Sequence, residues 1–172
     1  MTLIPEENLR DTTTQGAPIY FLRPDQTLAL TPLDNALVPV VQISIRPAFL
    51  ENKFEADPSK EAVNALALID TGADYVYIDE DFAERNGFLS NADITVSGGT
   101  ASSRQKVHPA LFKLPDEVRH PTQAADFISA PLRKNGRKYD VILGMQLLSN
   151  GALIMDFGSN VFRFELNSKP NK

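Results

Sequence analysis

Four consecutive residues, Asp70-Thr71-Gly72-Ala73, are the best placed in the chain to do chemistry. They follow the apolar run Ala65-Leu66-Ala67-Leu68-Ile69 and precede Tyr75-Val76-Tyr77-Ile78. A carboxylate thus stands at the abrupt end of a buried strand, where it can serve as a general base or acid. Gly72 permits a tight backbone and the close approach of a partner. Thr71 offers a hydroxyl that can brace a neighbouring loop, and Ala73 is small enough to pack beneath it. An Asp-containing tight turn between two strands accounts for the same four residues, so on their own they leave both readings open.

Other chemistries have little to draw on. The chain has no cysteine, which excludes disulfides, Cys-zinc sites, iron–sulfur clusters and thiol nucleophiles. It has two histidines, His108 and His120, each followed by proline, and both read as loop residues with no ligand or base role. No metal site and no cofactor are expected. Asp140 reads as a surface acid and Asp156 as a strand-end residue. The basic cluster Arg133–Lys138 straddles Asn135-Gly136 and reads as a solvated hairpin tip. Seventeen basic residues against twenty-two acidic ones give a net charge of −5, a poor basis for nucleic-acid binding. No window approaches the ~18 apolar residues of a membrane span. The opening residues Met1–Glu7 carry no basic stretch followed by an apolar one. The expectation is a cytoplasmic protein with no membrane or nucleic-acid partner.

The elements that must position Asp70 follow from the apolar pattern. With 172 residues, 42% hydrophobic and 23% charged, the chain fits one globular domain. Residues 1–34 form an N-terminal extension, either a loosely docked tail or a strand of the fold. The domain proper spans 35–166, and 167–172 is a polar tail. Leu37–Ile45 reads as a strand. Pro39 lacks a donor, so that strand lies at an edge or starts after the proline, and Arg46-Pro47 ends it. Residues 48–62 form a long connection. Asp79 is a fit N-cap for a short helix, with Glu80 and Asp81 in its first turn and Gly87 past its end. A hairpin joins Ile94–Val96 to Lys106 onward through a tip containing Gly98 and Gly99. A second hairpin, Asp126–Arg133 with Arg137–Leu143, is predicted around a type I′ turn at Asn135-Gly136. A third joins Ala152–Phe157 to Val161–Leu166. About eight short strands and one or two helices make a mainly β domain, closed or sandwich-like.

Further along lies Tyr139-Asp140-Val141-Ile142-Leu143-Gly144-Met145-Gln146-Leu147-Leu148, an apolar strand ending in glycine and running into a helical turn. Together with Asp-Thr-Gly-Ala, the following Asp74 and the glycine hairpin between, it resembles the retropepsin-like aspartic protease family, in its cellular and bacterial branches, over residues 36–166. The resemblance implies a closed acid-protease barrel with one half of the site per chain. It implies that Asp70 is the catalytic carboxylate, that Thr71 hydrogen-bonds across the active-site loops and that Gly72 holds the loop in shape. Ala73 and Asp74 would bind substrate backbone. The hairpin around Val96–Ala101, with Gly98, Gly99 and Thr100 near its tip, would be a flap closing over substrate. Met145-Gln146 stand where many members carry a charged residue.

Such chemistry uses two carboxylates. One activates a water while the other donates a hydrogen bond or proton to the scissile carbonyl. The chain has one Asp-Thr-Gly, so the second carboxylate must come from Asp70 of a second copy, and a homodimer becomes a requirement. The expected function is an aspartic endopeptidase acting on a protein or peptide. The alternative is a module that keeps the fold and binds peptides without turnover.

Overall fold

The computed structural model describes residues 16–90, 92–98, 101–115 and 122–167. Among them are the strands β1 (Ala17–Pro18), β2 (Tyr20–Leu22), β3 (Leu28–Ala29), β4 (Val38–Pro47), β5 (Val63–Ile69) and β6 (Val76–Asp79). Helix α1 (Glu80–Arg85) comes next, then β7 (Ala92–Gly98), β8 (Ala101–Lys113), β9 (Gln123–Ala130) and β10 (Val141–Leu143). Helix α2 (Met145–Leu148), β11 (Gly151–Asp156) and β12 (Val161–Leu166) complete the order. The described residues are mainly β, as expected, with two short helices among them. Neither helix is long and apolar enough to cross a membrane.

The large sheet runs β3-β2-β4-β5-β10-β6-β9-β8-β7, and β4 also pairs with β8. The pairings β4-β5-β10-β6-β9-β8 therefore return to β4. A smaller sheet runs β1-β12-β11. Residues 17–29 supply β1, which pairs with β12, and β2, which pairs with β4 and β3, so the strand alternative for this segment is the one observed.

Four expectations need correction, the last of them at His108 below. First, β4 is interior. It pairs with β5 from Val40↔Leu68 to Ile45↔Val63, with β2 at Val38–Val40 and with β8 at Ser44–Pro47. Pro39 lies just before the β5 register begins, so its missing donor costs no ladder bond there. The strand continues through Arg46-Pro47 because β8 takes over as partner where β5 stops. Second, β9 and β10 do not form a hairpin, because β6 lies between them in the sheet. Asn135 and Gly136 sit instead in a compact turn: the Asn135 N–H donates to Pro131 O and Leu132 O, and the Arg137 N–H to Leu132 O. Only Gly136 has a positive φ, +81°, whereas a type I′ turn needs two such residues. Third, Asp140 is buried rather than superficial. It accepts from Arg133 Nε at 2.9 Å. The basic cluster is partly anchored as well, with Lys134 paired to Glu80 and Asp81.

The helix start is as read from the sequence. Asp79 is fully buried, accepts the Phe82 N–H at 3.1 Å and, through its other oxygen, the Arg133 N–H at 2.9 Å. One carboxylate thus fastens α1 and the 131–140 connection. The last hairpin is also observed, with Phe162, Phe164 and Leu166 buried and Asn160 in the left-handed region at its turn.

Two apolar clusters lie on opposite faces of β4. Val41, Ile43 and Ile45 belong to the main core, while Val40 joins Tyr20, Leu22, Leu132 and Tyr139 in a second one. Leu132 and Tyr139 of the 131–140 connection pack with Tyr20 and Leu22 against Val40, Leu66, Leu68 and Ile142 on one face of the sheet, which leaves Asp70 at the end of a strand packed on both sides.

His108 is in β8 and buried, not in a loop. Its Nδ1 lies 3.0 Å from the Leu89 carbonyl, which can only accept, so Nδ1 carries the proton. Burial holds its pKa below the ordinary histidine value, and the carbonyls of Leu89 and Phe88 offset this in part. The unfolded chain takes up a proton near about pH 6.5, while the folded one waits for lower pH. Folding stability is thus full above that value and falls as the pH drops towards the folded pKa. His108→Asn should flatten this slope in denaturant titrations across that range. An unchanged slope would show that folding does not shift the titration of His108. His120 lies outside the described residues.

Candidate active site

The loop that carries Asp70 is held from within and from one neighbour. The Asp70 N–H donates to Leu143 O at 3.1 Å, continuing the β5–β10 pairing one residue past Ile69. Asp70 Oδ1 accepts the Gly72 N–H at 2.8 Å, and Asp70 O accepts the Ala73 N–H at 3.3 Å. The carboxylate thus folds its own loop into a tight turn while its second oxygen is left for other partners.

The segment after β10 is laced to the far side of this loop. The Met145 N–H donates to Ala73 O at 2.8 Å and the Gln146 N–H to Asp74 O at 2.9 Å. Two main-chain donors at the start of α2 thus brace the loop, where the residues before and after them offer no charge. Gly144 makes the approach possible: a Cβ there would lie 2.2 Å from Tyr75 O and 2.5 Å from Ala73 O. Its φ of −94° is open to any residue, so glycine is required by space and not by backbone conformation.

Asp70 and Ala73 are half-buried, while Thr71, Gly72, Asp74, Tyr75, Met145 and Gln146 are exposed. The Thr71 hydroxyl has no partner among the described residues. The structure therefore brings Asp70, Thr71, Gly72, Ala73 and Asp74 together with the 143–146 segment on one exposed face.

The hairpin residues are placed apart from that face. Val96 is half-buried in β7 opposite Ser103, and Gly98 pairs with Ala101. Gly99 and Thr100 lie outside the described residues. β7 pairs with β8 alone and most of its side chains are exposed, so the hairpin projects from the sheet. No hydrogen bond among the described residues ties it to the 70–75 loop.

Sequence reading missed three neighbours of Asp70. Tyr77 and Tyr139 have hydroxyl pKa values raised chiefly by burial, and Asp70 adds to the shift of each, which puts its charge within electrostatic reach of both. The third is Val38. Carrying the β4–β5 register two residues beyond Val40↔Leu68 sets Val38 across from Asp70, and both Val38 and Leu37 are exposed. Strand alternation from Leu66 and Leu68 to Asp70 was a usable signal for that face. The pairing of β10 between β5 and β6, which brings Tyr77 round, was not readable. Among the described residues no three His, Asp or Glu side chains converge as a metal site would require.

A family model described as aspartyl protease matches residues 60–147, from just before β5 to within α2. No curated protein sequence matches the chain. The matched stretch is just over half of the chain and contains both the Asp70 loop and the Gly144 segment that braces it. By that match the chain belongs to the aspartyl proteases, in the retropepsin-like family.

Proposed function

We propose that the protein is an aspartic endopeptidase whose active site is a pair of Asp70 carboxylates, one from each copy of a homodimer. The observation that carries this reading is the exposed Asp70 loop, pinned by Leu143, Gly144 and the α2 donors, in a chain with one such loop. A pinned carboxylate facing solvent is what a second copy can meet at an axis. We read the six-strand ring of pairings as the closed barrel of the family and residues 35–166 as the protease domain, with the 1–34 extension partly docked on it.

In the reaction one Asp70 carboxylate takes a proton from a water held between the pair. That water's oxygen adds to the scissile carbonyl carbon, while the protonated partner donates to the carbonyl oxygen. The tetrahedral species then breaks at its C–N bond, the amine leaving with a proton from the dyad. Thr71, whose hydroxyl has no partner among the described residues, would hydrogen-bond across the axis. Ala73 and Asp74 would hold substrate backbone, and the hairpin with Val96, Gly98, Gly99 and Thr100 would close over it.

Peptide-library cleavage at acidic and neutral pH, wild type beside Asp70→Ala, tests the activity. Cuts present in the first and absent in the second support it. Peptide retained without cleavage by either protein would favour the binding-module alternative. The dimer makes a separate prediction: specific activity should fall on dilution, with second-order dependence on protein concentration. A fully active species that sediments as a 19.0 kDa monomer would remove the paired-Asp70 site.

A further inference from the structure

The face of the large sheet that carries Asp70 changes character along its length. On β5 the residues sharing that face run from Asp70 through Leu68 and Leu66 to Asn64. On β4 the same face bears Val40, Gln42, Ser44 and Arg46, since Val41, Ile43 and Ile45 belong to the main core. The half near Asp70 is apolar and packed with Leu132 and Tyr139. The other half is polar. Ser44 stands at its centre, paired with Asn64 on β5 and with Lys113 on β8. Arg133 and its partner Asp140 border it, and the Asp140 N–H donates to Leu66 O.

Two adjoining cavities, of about 390 and 280 Å³, share Ser44 and Lys113 and make this half a trough. Among the described residues its charged lining is three cations, Arg46, Lys113 and Arg133, against one carboxylate, Asp140. The whole chain, by contrast, carries a net charge of −5. Asp140 is already held by Arg133. Asp57, whose charge reaches Arg46, turns its carboxylate to Ser59. Lys113 is exposed and pairs with no acid among the described residues. Arg46 donates from one terminal nitrogen to Asp57 O and Lys60 O, while its Nε is buried with no hydrogen-bond partner among the described residues. A buried donor is seldom left in this state. Gln42, Ser44 and Asn64 also make no side-chain hydrogen bond among the described residues.

We propose that this trough is an exosite for an acidic, extended segment of the protein substrate, bound at a distance from the bond that is cut. The proposal rests on the endopeptidase reading and names a substrate class for it. Carboxylates answer the excess of cations through charge-assisted hydrogen bonds. The neutral side chains favour a peptide over a phosphate. The carboxamides of Gln42 and Asn64 and the Ser44 hydroxyl both donate and accept, as a peptide main chain does, whereas a phosphate dianion only accepts. Along β5, Asn64 and Asp70 are about 20 Å apart at roughly 3.3 Å per residue. Leu132 and Tyr139 pack on the face between them. An extended substrate needs about six residues or more to cover that distance, so its acidic segment stands at least that far from the scissile bond.

The test compares peptides that share one cut site: untailed, with a short run of Glu beyond a neutral spacer of about eight residues, and with the same run as Gln, the tail placed on either side in turn. On one side the Glu tail should raise kcat/KM about tenfold or more, chiefly by lowering KM, which is the effect of one charge-assisted hydrogen bond. The gain should fade in about 0.5 M salt. Lys113→Glu and Asn64→Asp, both at exposed positions, should each remove the gain and leave cleavage of the untailed peptide unchanged. An equal gain from the Gln tail, or a gain kept in both variants, overturns the exosite while the endopeptidase stands. Binding is read separately, from the fluorescence anisotropy of the labelled Glu tail on the Asp70→Asn protein with and without Lys113→Glu. If no peptide is cut, the endopeptidase reading falls, and tail binding that is lost with Lys113→Glu still shows that the trough holds acidic peptide. Absence of such binding overturns that too. Inorganic phosphate that binds as tightly as the labelled tail would make the trough a small-anion site and overturn the peptide assignment.

Discussion

Asp70→Asn is expected to reduce peptide cleavage by on the order of a thousandfold, the middle of the range for losing an acid–base group. Fold and assembly should be retained. The substitution keeps the oxygen that accepts the Gly72 N–H at 2.8 Å, and the Asp70 main chain keeps its bond to Leu143 O. What is lost is the group that exchanges a proton with water. The measurement is initial rate on a cleaved library peptide, with thermal unfolding and sedimentation as controls. Asp140→Asn and Asp156→Asn should affect the rate far less. Asp140 is engaged by Arg133, and Asp156 accepts the N–H groups of Gly158 and Ser159 in its own turn. Cleavage by Asp70→Asn at the wild-type rate would sink the proposed mechanism.

Gly144→Ala should harm both stability and activity. The added Cβ would sit 2.2 Å from Tyr75 O and 2.5 Å from Ala73 O, and both are main-chain atoms that cannot rotate away. Either α2 or the 73–75 loop must move, which breaks the bonds from Met145 and Gln146. Overpacking of this kind costs about 3 kcal/mol, or a fall in Tm of roughly 6–12 °C for a chain of this size. A displacement of about 1 Å at the reacting groups lowers the rate by about a hundredfold. Gly72→Ala offers a contrast, because its Cβ would meet only the Asp70 side-chain oxygen, at 3.2 Å. It should lower the rate with little change in Tm, since a side chain can turn where a main chain cannot. Equal losses of stability in the two variants would contradict the assignment of Gly144 as the spacer between β10 and the loop.

Local patterns in the sequence were enough for the pieces whose structure is decided locally. Asp79 before Glu80-Asp81, with Gly87 beyond, marked α1 because N-capping and a left-handed exit depend on a few adjacent residues. The alternation of Phe162, Phe164 and Leu166 marked β12 because a strand has period two. Asp70-Thr71-Gly72-Ala73 marked the tight turn after β5 because such a turn at the end of an apolar strand is a local event.

Tertiary structure decided which strands meet. Asn135-Gly136 suggested a hairpin, but β6 was inserted between β9 and β10, and the buried Asp79 drew the Arg133 N–H to itself. Pro39 suggested an edge, but β5 begins its register one residue later and β8 extends the strand to Pro47. His108 suggested a loop, and Asp140 the surface, yet each is buried with its partner supplied by another part of the fold, Leu89 O for the imidazole and Arg133 for the carboxylate. The same holds at the site. The sequence by itself determined the carboxylate, its turn and the glycine that follows β10. Only the folded chain showed that Gly144 is needed because two carbonyls occupy the space a side chain would fill. Strand pairing joins residues far apart in the chain, and its free energy depends on what covers both faces, which no local window contains.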